Sequence, residues 1–466
     1  MYILEIILYL LAFVMMYIII SKKTLKMKVY ITFLNGVVII FILHFIIDQI
    51  RWQLYTLYVA ILILGVMMYF TSVMNVSLKK LIRKSLIVGL SLIIAISLIS
   101  AFVFPIYKVP KPNGNYFIGT ESFVVTDENR AEIYTDDTND YRRIKIQFWY
   151  PAQTINGYKK ALWLEDGLPV ARALSKDMGL PYFVLDHEIS ITSNSYVSAP
   201  LYNALELYPV IVLSHGWTGF RNLHTDFAEE LASLGYIVVG INHTYGSVAN
   251  AFDDQDVAYI NYDALPDRAS TPDFIDYANR LVNTYASDVI TTLDYLEEIN
   301  SSSQSRFSGK LDLSKIGLLG HSTGGGGDVA AAITDDRIKA LIGLDAWVEP
   351  VASSQIDQGL DIPSLFLRSG QWETGLNNTN LYALIENSTY PSTLYQIDGT
   401  THFDFAMDYM YSPLIKVIGF SGSVNSNYLT SMLKSMITDF FNETLNNHSN
   451  SSIDPNDWEE VREIII

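Results

Sequence analysis

Four apolar stretches, separated only by short charged links, occupy the first 107 residues, and no other feature restricts the fold of this chain so strongly. They run over about 3–21, 29–47, 54–76 and 85–107; Lys28 and Asp48 bound the second, and the third lies within the uncharged run from Trp52 to Leu78. A bilayer core of about 30 Å takes about 20 residues of helix, and each stretch is of that length. Backbone amides in lipid must be satisfied within their own segment, so the physical form is helical. Residues 1–107 are therefore expected to form an all-α transmembrane region of four helices, integral and multi-pass, rather than buried core helices. The first stretch carries Glu5, lacks a basic leading region and shows no small-residue cleavage site before Ser21, so it does not read as a removable secretory signal.

Charge separates this region from the rest. Residues 1–106 hold nine Lys/Arg and two acids, whereas the following 360 hold 22 basic and 47 acidic residues. An acidic domain repels phosphodiester backbones, so no nucleic-acid partner is expected. Lys22, Lys23, Lys26 and Lys28 crowd the first loop, and Lys79, Lys80, Arg83 and Lys84 the third. Basic loops stay cytoplasmic. Both termini, and the acidic domain with them, are thus expected on the extracytoplasmic side of the cell membrane. His44 and Asp48 read as interfacial residues rather than a proton relay. The absence of cysteine excludes disulfides, thiolate zinc sites, iron–sulfur clusters and a cysteine nucleophile.

From about residue 115 the pattern changes to short β-branched runs alternating with helical stretches. Strands are expected at Arg143–Tyr150, ending at Pro151, and at Pro209–Leu213, Tyr236–Ile241, Ile316–Leu319, Ala340–Leu344, Ser364–Leu367 and Thr393–Ile397. Helices are expected at Asp226–Leu234 and Asp273–Ile299, the latter with apolar residues at helical spacing. Such alternation argues a doubly wound, mostly parallel α/β sheet over 108–442. Residues 155–200 fit the rhythm poorly and are read as a cap over the sheet edge; 443–466 read as a polar, mobile tail.

Ile316–Leu319 leads into Gly320-His321-Ser322-Thr323-Gly324, with three further glycines and an alanine-rich helix behind. This is a G-x-S-x-G elbow set between a strand and a helix, where a Cβ at either flanking position would collide with its neighbours. A serine hydroxyl needs a base. Only His402 and His448 follow Ser322; His402 lies just past the last expected strand, and His448 falls in the polar tail. For the acid that orients the imidazole, Asp345 and Glu373 compete. Asp345 is favoured because a carboxylate directly ending an apolar run is costly unless partnered. Oxyanion donors are expected at the backbone N–H of Thr323 and of Trp217, the latter in the loop after Pro209–Leu213. His215 and His321 read as scaffold rather than chemistry, and His243 is left open between scaffold and pocket lining.

These residues resemble the α/β-hydrolase family of platelet-activating-factor acetylhydrolases, with dienelactone-hydrolase-like and cutinase-like esterases as more distant relatives. The similarity includes Phe148–Pro151, Ser214-His215-Gly216 with Gly219-Phe220-Arg221, the elbow, Leu344-Asp345-Ala346-Trp347, and His402 with its aromatic continuation. In that family the acid lies 23 residues past the serine, as Asp345 does here. The resemblance implies hydrolysis of short or oxidised acyl chains from phospholipid-like esters, without metal or cofactor. The run of four glycines after Thr323 is closer to the cutinase-like enzymes, and the four-span anchor is foreign to the secreted animal enzyme. The sequence therefore predicts a membrane-anchored serine esterase or lipase acting on a lipid or small ester, with Ser322, His402 and Asp345 as triad. A cutinase-like or general small-ester hydrolase is the alternative. A membrane sensor or transporter carrying a non-catalytic hydrolase-like domain is a third reading.

Overall fold

Helix closes every backbone hydrogen bond inside one apolar segment, and the four N-terminal stretches adopt it. They form α1 (Ile3–Ile20), α2 (Met27–Ile47), α3 (Tyr55–Met68), which continues into a π-turn at Tyr69–Val73, and α4 (Lys80–Val103). The computed structural model describes residues 2–48, 50–77, 79–252, 256–447 and 453–466. Among these residues, four helices are long and apolar enough to cross a membrane. The chain divides into two units; the first comprises these helices with Phe183–Ser190 and Tyr411–Leu414. Several of its buried polar groups are paired internally. Arg51 donates to both carboxylate oxygens of Glu5 at 2.7 Å and to the Phe104 carbonyl at 3.2 Å. His44, in the last turn of α2, is fully buried within the protein: its Nδ1 lies 3.2 Å from Asp48, and its Nε2 accepts from the Tyr58 hydroxyl at 2.6 Å. Tyr58, one helix away, supplies the partner that water would otherwise provide.

The second unit is built on an eleven-stranded sheet. Its strands begin with β1 (Phe117–Ala131), β2 (Tyr141–Ala152), β3 (Lys160–Leu162), β4 (Thr192–Val197), β5 (Tyr208–Ser214) and β6 (Ile237–Asn242). A separate hairpin, β7 (Ala249–Ala251) and β8 (Val257–Tyr259), follows; the sheet resumes with β9 (Leu311–His321), β10 (Ile338–Leu344), β11 (Ser364–Ser369), β12 (Ser392–Ile397) and β13 (Val461–Glu463). The connecting helices are α5 (Leu168–Asp177), α6 (Thr225–Ser233), α7 (Phe274–Ser301), α8 (Thr323–Thr334), α9 (Ser353–Gln358), α10 (Leu376–Asn387) and α11 (Ser426–Asn446).

The sheet order is β13-β12-β11-β10-β9-β5-β6-β2-β1-β4-β3. Neighbours from β12 to β6 are parallel, and β2 joins β6 antiparallel. The central strands are buried on both faces, which is why PVIVL and IVVGI read as unbroken apolar runs. The chain winds outward in opposite directions from β5 and β9, so the carboxyl ends of these two strands form the topological switch point where α/β sheets place their sites.

Two expectations change. Residues 155–200 do not cap the sheet edge; β3 and β4 extend the sheet beyond β1, with β4 parallel to β1. The segment 443–466 is not wholly a tail. Helix α11 continues to Asn446, and β13 pairs antiparallel with β12, where the Asp398 amide also donates to the Glu460 carbonyl at 2.8 Å. A smaller difference concerns Pro151, which does not end β2: it needs only its carbonyl, which accepts from the Tyr202 amide at 2.9 Å.

Candidate active site

Ser322 sits between β9 and α8 at φ 55°, ψ −122°, a conformation that L-residues hold only when the surroundings impose it. The surroundings are specific. Its amide donates to the Leu344 carbonyl at 3.0 Å, and its carbonyl accepts from the amides of Trp347 (2.8 Å) and Gly326 (3.1 Å). A Cβ on Gly320 would lie 2.7 Å from the Gly325 backbone, and one on Gly324 2.5 Å from the Ser214 carbonyl oxygen. Both flanking glycines are thus required by contact, and Gly216 of the loop after β5 packs directly against the Ser322 side chain.

His402 lies in a 3₁₀ turn after β12. Its loop is pinned from both sides. Asp404 accepts from the Thr401 amide at 2.7 Å and the Gly422 amide at 2.8 Å, and the His402 amide donates to Gln371 Oε1 at 2.9 Å. Although 80 residues separate them, His402 Nε2 lies 2.9 Å from Ser322 Oγ. On the other side, Nδ1 lies 2.8 Å from Asp345 Oδ2. A carboxylate can only accept, so Nδ1 carries the proton and the Nε2 lone pair faces the serine hydroxyl. Asp345, buried at the end of β10, also accepts from the Ser369 amide at 2.8 Å and the Ser369 hydroxyl at 2.7 Å. Glu373 is solvent-exposed just past a 3₁₀ turn at Gly370–Trp372. His448 lies outside the described residues.

Trp217 follows Gly216 in a loop held by two amides, Thr218 to the Gly246 carbonyl at 3.1 Å and Gly219 to the Gly216 carbonyl at 3.0 Å. Among the described residues the Trp217 amide donates to no backbone carbonyl outside the helices and strands. Thr323 is the first residue of α8, where the helix offers its amide no acceptor.

His215, His243 and His321 are buried, and burial lowers each below the usual histidine value. Burial, followed by the neighbouring His402, holds His321 down at about 3; its Nε2–H donates to the His402 carbonyl at 3.1 Å. Burial pushes His215 well below the usual histidine value, and its Nε2 accepts the His243 amide at 3.2 Å. His243 stacks on Tyr285 (ring centroids 3.7 Å apart) and faces Asp288 at 3.0 Å. Burial alone would raise Asp288, but Arg142, His243 and Arg130 outweigh it and hold the carboxyl well below its usual range. These groups brace the loop after β5 from behind.

Three residues make contacts that have no counterpart in the sequence pattern. The Trp372 indole stacks on the His402 imidazole, with centroids 4.5 Å apart and planes 12° from parallel, while His321 packs nearby at 4.8 Å. Gln371 and Ser369 then fix the backbone of His402 and the carboxylate of Asp345. All three residues lie in or just after β11. The sequence signals were the expected strand end beside Glu373 and the place of the aromatic Trp372 near an expected site loop.

Among the described residues no group of three or more His, Asp or Glu is placed to hold a metal ion.

Comparison with known proteins agrees with this architecture. Platelet-activating factor acetylhydrolase from Canis lupus familiaris is 25% identical over 344 residues, covering 69% of this chain and 73% of that protein. Cutinase est2 from Thermobifida alba is 24% identical over 200 residues, covering 42% of this chain and 53% of that protein. The structure of a ferulic acid esterase from Streptomyces cinnamoneus superposes with a TM-score of 0.62 at 20% identity, over 77% of this chain and 100% of that one, and shows the shared fold. Residues 101–464 match the family described as platelet-activating factor acetylhydrolase, isoform II. The chain is a carboxylic ester hydrolase, and it belongs to that family.

Proposed function

We propose that the protein is a membrane-anchored serine esterase that hydrolyses short or oxidised acyl esters of phospholipids. The observation that carries this reading is the continuous line from Asp345 through His402 to Ser322, with both links under 3 Å. The Ser322 hydroxyl attacks the ester carbonyl as Nε2 of His402 takes its proton; Asp345 holds the tautomer and stabilises the imidazolium. The tetrahedral oxyanion accepts from the amides of Thr323 and Trp217. Collapse expels the alcohol, protonated by His402, and leaves an acyl group on Ser322. Water, deprotonated by the same imidazole, then releases the acid. The acyl-phospholipid substrate is supported by the relatives named acetylhydrolase, and by a fungal relative from Arthroderma benhamiae named probable 1-alkyl-2-acetylglycerophosphocholine esterase, 23% identical over 285 residues. Four helices of membrane length would tether such an enzyme beside its substrate, with the hydrolase unit on the extracytoplasmic face. The cutinase relatives favour a second reading, a broader small-ester hydrolase.

The test is labelling of intact cells with a membrane-impermeant fluorophosphonate, paired with turnover of p-nitrophenyl esters of graded chain length and of a short-acyl phospholipid. Labelling of wild type and none of Ser322→Ala is expected. Labelling that persists in Ser322→Ala would overturn the nucleophile. Labelling that appears only after lysis would overturn the sidedness. Turnover of the p-nitrophenyl esters without the phospholipid would favour the broader hydrolase.

A further inference from the structure

The first unit contains a second polar site that the hydrolytic reading does not use. A cavity of about 620 Å³ opens where α1 ends, α3 gives way to its π-turn and α4 begins. Lys22, Lys79, Lys80 and Arg83 line it, with the hydroxyl residues Thr24 and Ser77 between them, and no Asp or Glu is among its lining. Among the described residues none of the four cations is in an ion pair. By contrast, Arg51, Arg130, Arg142, Lys145, Arg221 and Arg337 each face one or more carboxylates. In a protein with formal net charge −18, gathering four unpaired cations around one cavity concentrates a positive field that favours an anion.

The chemistry of the lining narrows that anion. A guanidinium and three ammonium groups, with hydroxyl donors, suit a phosphate, whose several oxygens accept from many donors at once. Ile19 and Val76 add apolar surface to the same wall, and the helices meeting here are those of membrane length. We infer that this cavity binds the phosphate of an anionic phospholipid headgroup, with the acyl chains running along the exposed apolar faces of the helices. The inference is independent of the triad.

The full-length protein, carrying Ser322→Ala so that lipid is not turned over, would be titrated in detergent with palmitoyl-oleoyl phosphatidylglycerol or phosphatidylcholine. Bound lipid would be counted by native mass spectrometry. Phosphatidylglycerol is expected to bind at least about tenfold more tightly than phosphatidylcholine. Adding Lys22→Gln, Lys79→Gln, Lys80→Gln and Arg83→Gln together should remove that preference. A charge-matched control, with Lys23, Lys26, Lys28 and Lys84 changed to Gln, should keep it within about threefold, since these four do not line the cavity. Arg83→Lys alone, which keeps the charge and loses the planar fork, should cost several-fold and serves if the fourfold variant does not fold. Competition with inorganic phosphate separates the sources. Displacement only at a large excess assigns a lipid headgroup, and displacement at comparable concentration assigns free phosphate to the same site. Equal loss in both fourfold variants, or no preference in wild type, would overturn the site.

Discussion

Replacing Asp345 by asparagine tests the proposed triad most sharply, because the side chain keeps its shape and changes one donor. Asp345 accepts three hydrogen bonds, from the Ser369 amide (2.8 Å), the Ser369 hydroxyl (2.7 Å) and His402 Nδ1 (2.8 Å). If the new amide oxygen stays on the Ser369 amide, the NH₂ faces His402 Nδ1. Imidazole must then move its proton to Nε2, which turns a donor toward Ser322 where an acceptor is needed. If the amide flips, its NH₂ faces the Ser369 amide, and one of the two donors goes unsatisfied. An unsatisfied buried donor costs about 1–3 kcal/mol, and losing the charged partner of the imidazolium about 1.5–3 kcal/mol more. Together these give roughly 3–6 kcal/mol, or about 10²- to 10⁴-fold in kcat/KM. Hydrolysis of p-nitrophenyl acetate by purified full-length protein measures it, with melting curves to establish that the variant is folded. Glu373→Gln, at an exposed position, should change kcat/KM by less than about twofold. A loss below about tenfold in Asp345→Asn, or a larger loss in Glu373→Gln, would refute the reasoning.

Other consequences can be checked with the same enzyme. Trp372→Ala removes the ring stacked 4.5 Å from the imidazole and should lower kcat/KM about three- to tenfold; Trp372→Phe should restore most of it, and an unchanged rate in Trp372→Ala would show that the stack does not position His402. Gly324→Ala places a Cβ 2.5 Å from the Ser214 carbonyl oxygen, so either the elbow or the loop after β5 must shift; kcat should fall at least about tenfold, read from burst and steady-state kinetics. Asp328, beneath the elbow, is pushed up to about 8 by burial, against one hydrogen bond from Ser214 at 2.7 Å. A carboxyl whose folded value lies above its unfolded value of about 4 contributes fully to stability below that pH and loses the contribution as pH rises through 8. The melting temperature of Asp328→Asn relative to wild type should therefore climb between pH 5 and pH 8, and parallel curves would refute it.

What the sequence disclosed follows from how burial writes itself into residue choice. β5 and β6 lie inside a parallel sheet with both faces covered, so they appear as continuous apolar runs, and α7 shows its buried stripe at helical spacing. The four apolar N-terminal helices were legible for the same reason, within a few residues at each end. β1 was not, because Glu121, Thr126, Asp127 and Glu128 interrupt its apolar residues along an antiparallel pairing that leaves much of one face half-exposed. β13 is three residues long, and only Val461 is buried; its partner across the sheet edge, not its composition, makes it a strand. The stacking of Trp372, whose place beside an expected site loop could be read, and the hydrogen bond of Gln371 were invisible for a third reason. Their contacts arise from a loop meeting another loop after neighbouring strands, and no local pattern encodes that meeting.

The candidate triad was nonetheless readable, and the sheet register explains why. Leu344 of β10 pairs with His321 of β9 and with Leu367 of β11, so the residues following the first two, Asp345 and Ser322, emerge level on adjacent strands. Ser214 of β5 pairs with Gly320, which brings the loop bearing Gly216 and Trp217 to the serine from the opposite side. β12 ends at Ile397, paired with Ser369, and the chain from Asp398 to Thr401 brings His402 back across the ends of β11 and β10. Each of these side chains is therefore delivered by a strand end or the loop immediately after it, and parallel pairing holds those ends at one height. Residues picked out by motifs far apart along the chain meet because the sheet converts distance in sequence into adjacency at its carboxyl edge. Motifs do not reach the contacts of Gln371 and Trp372, whose partners are set one loop further from the strands.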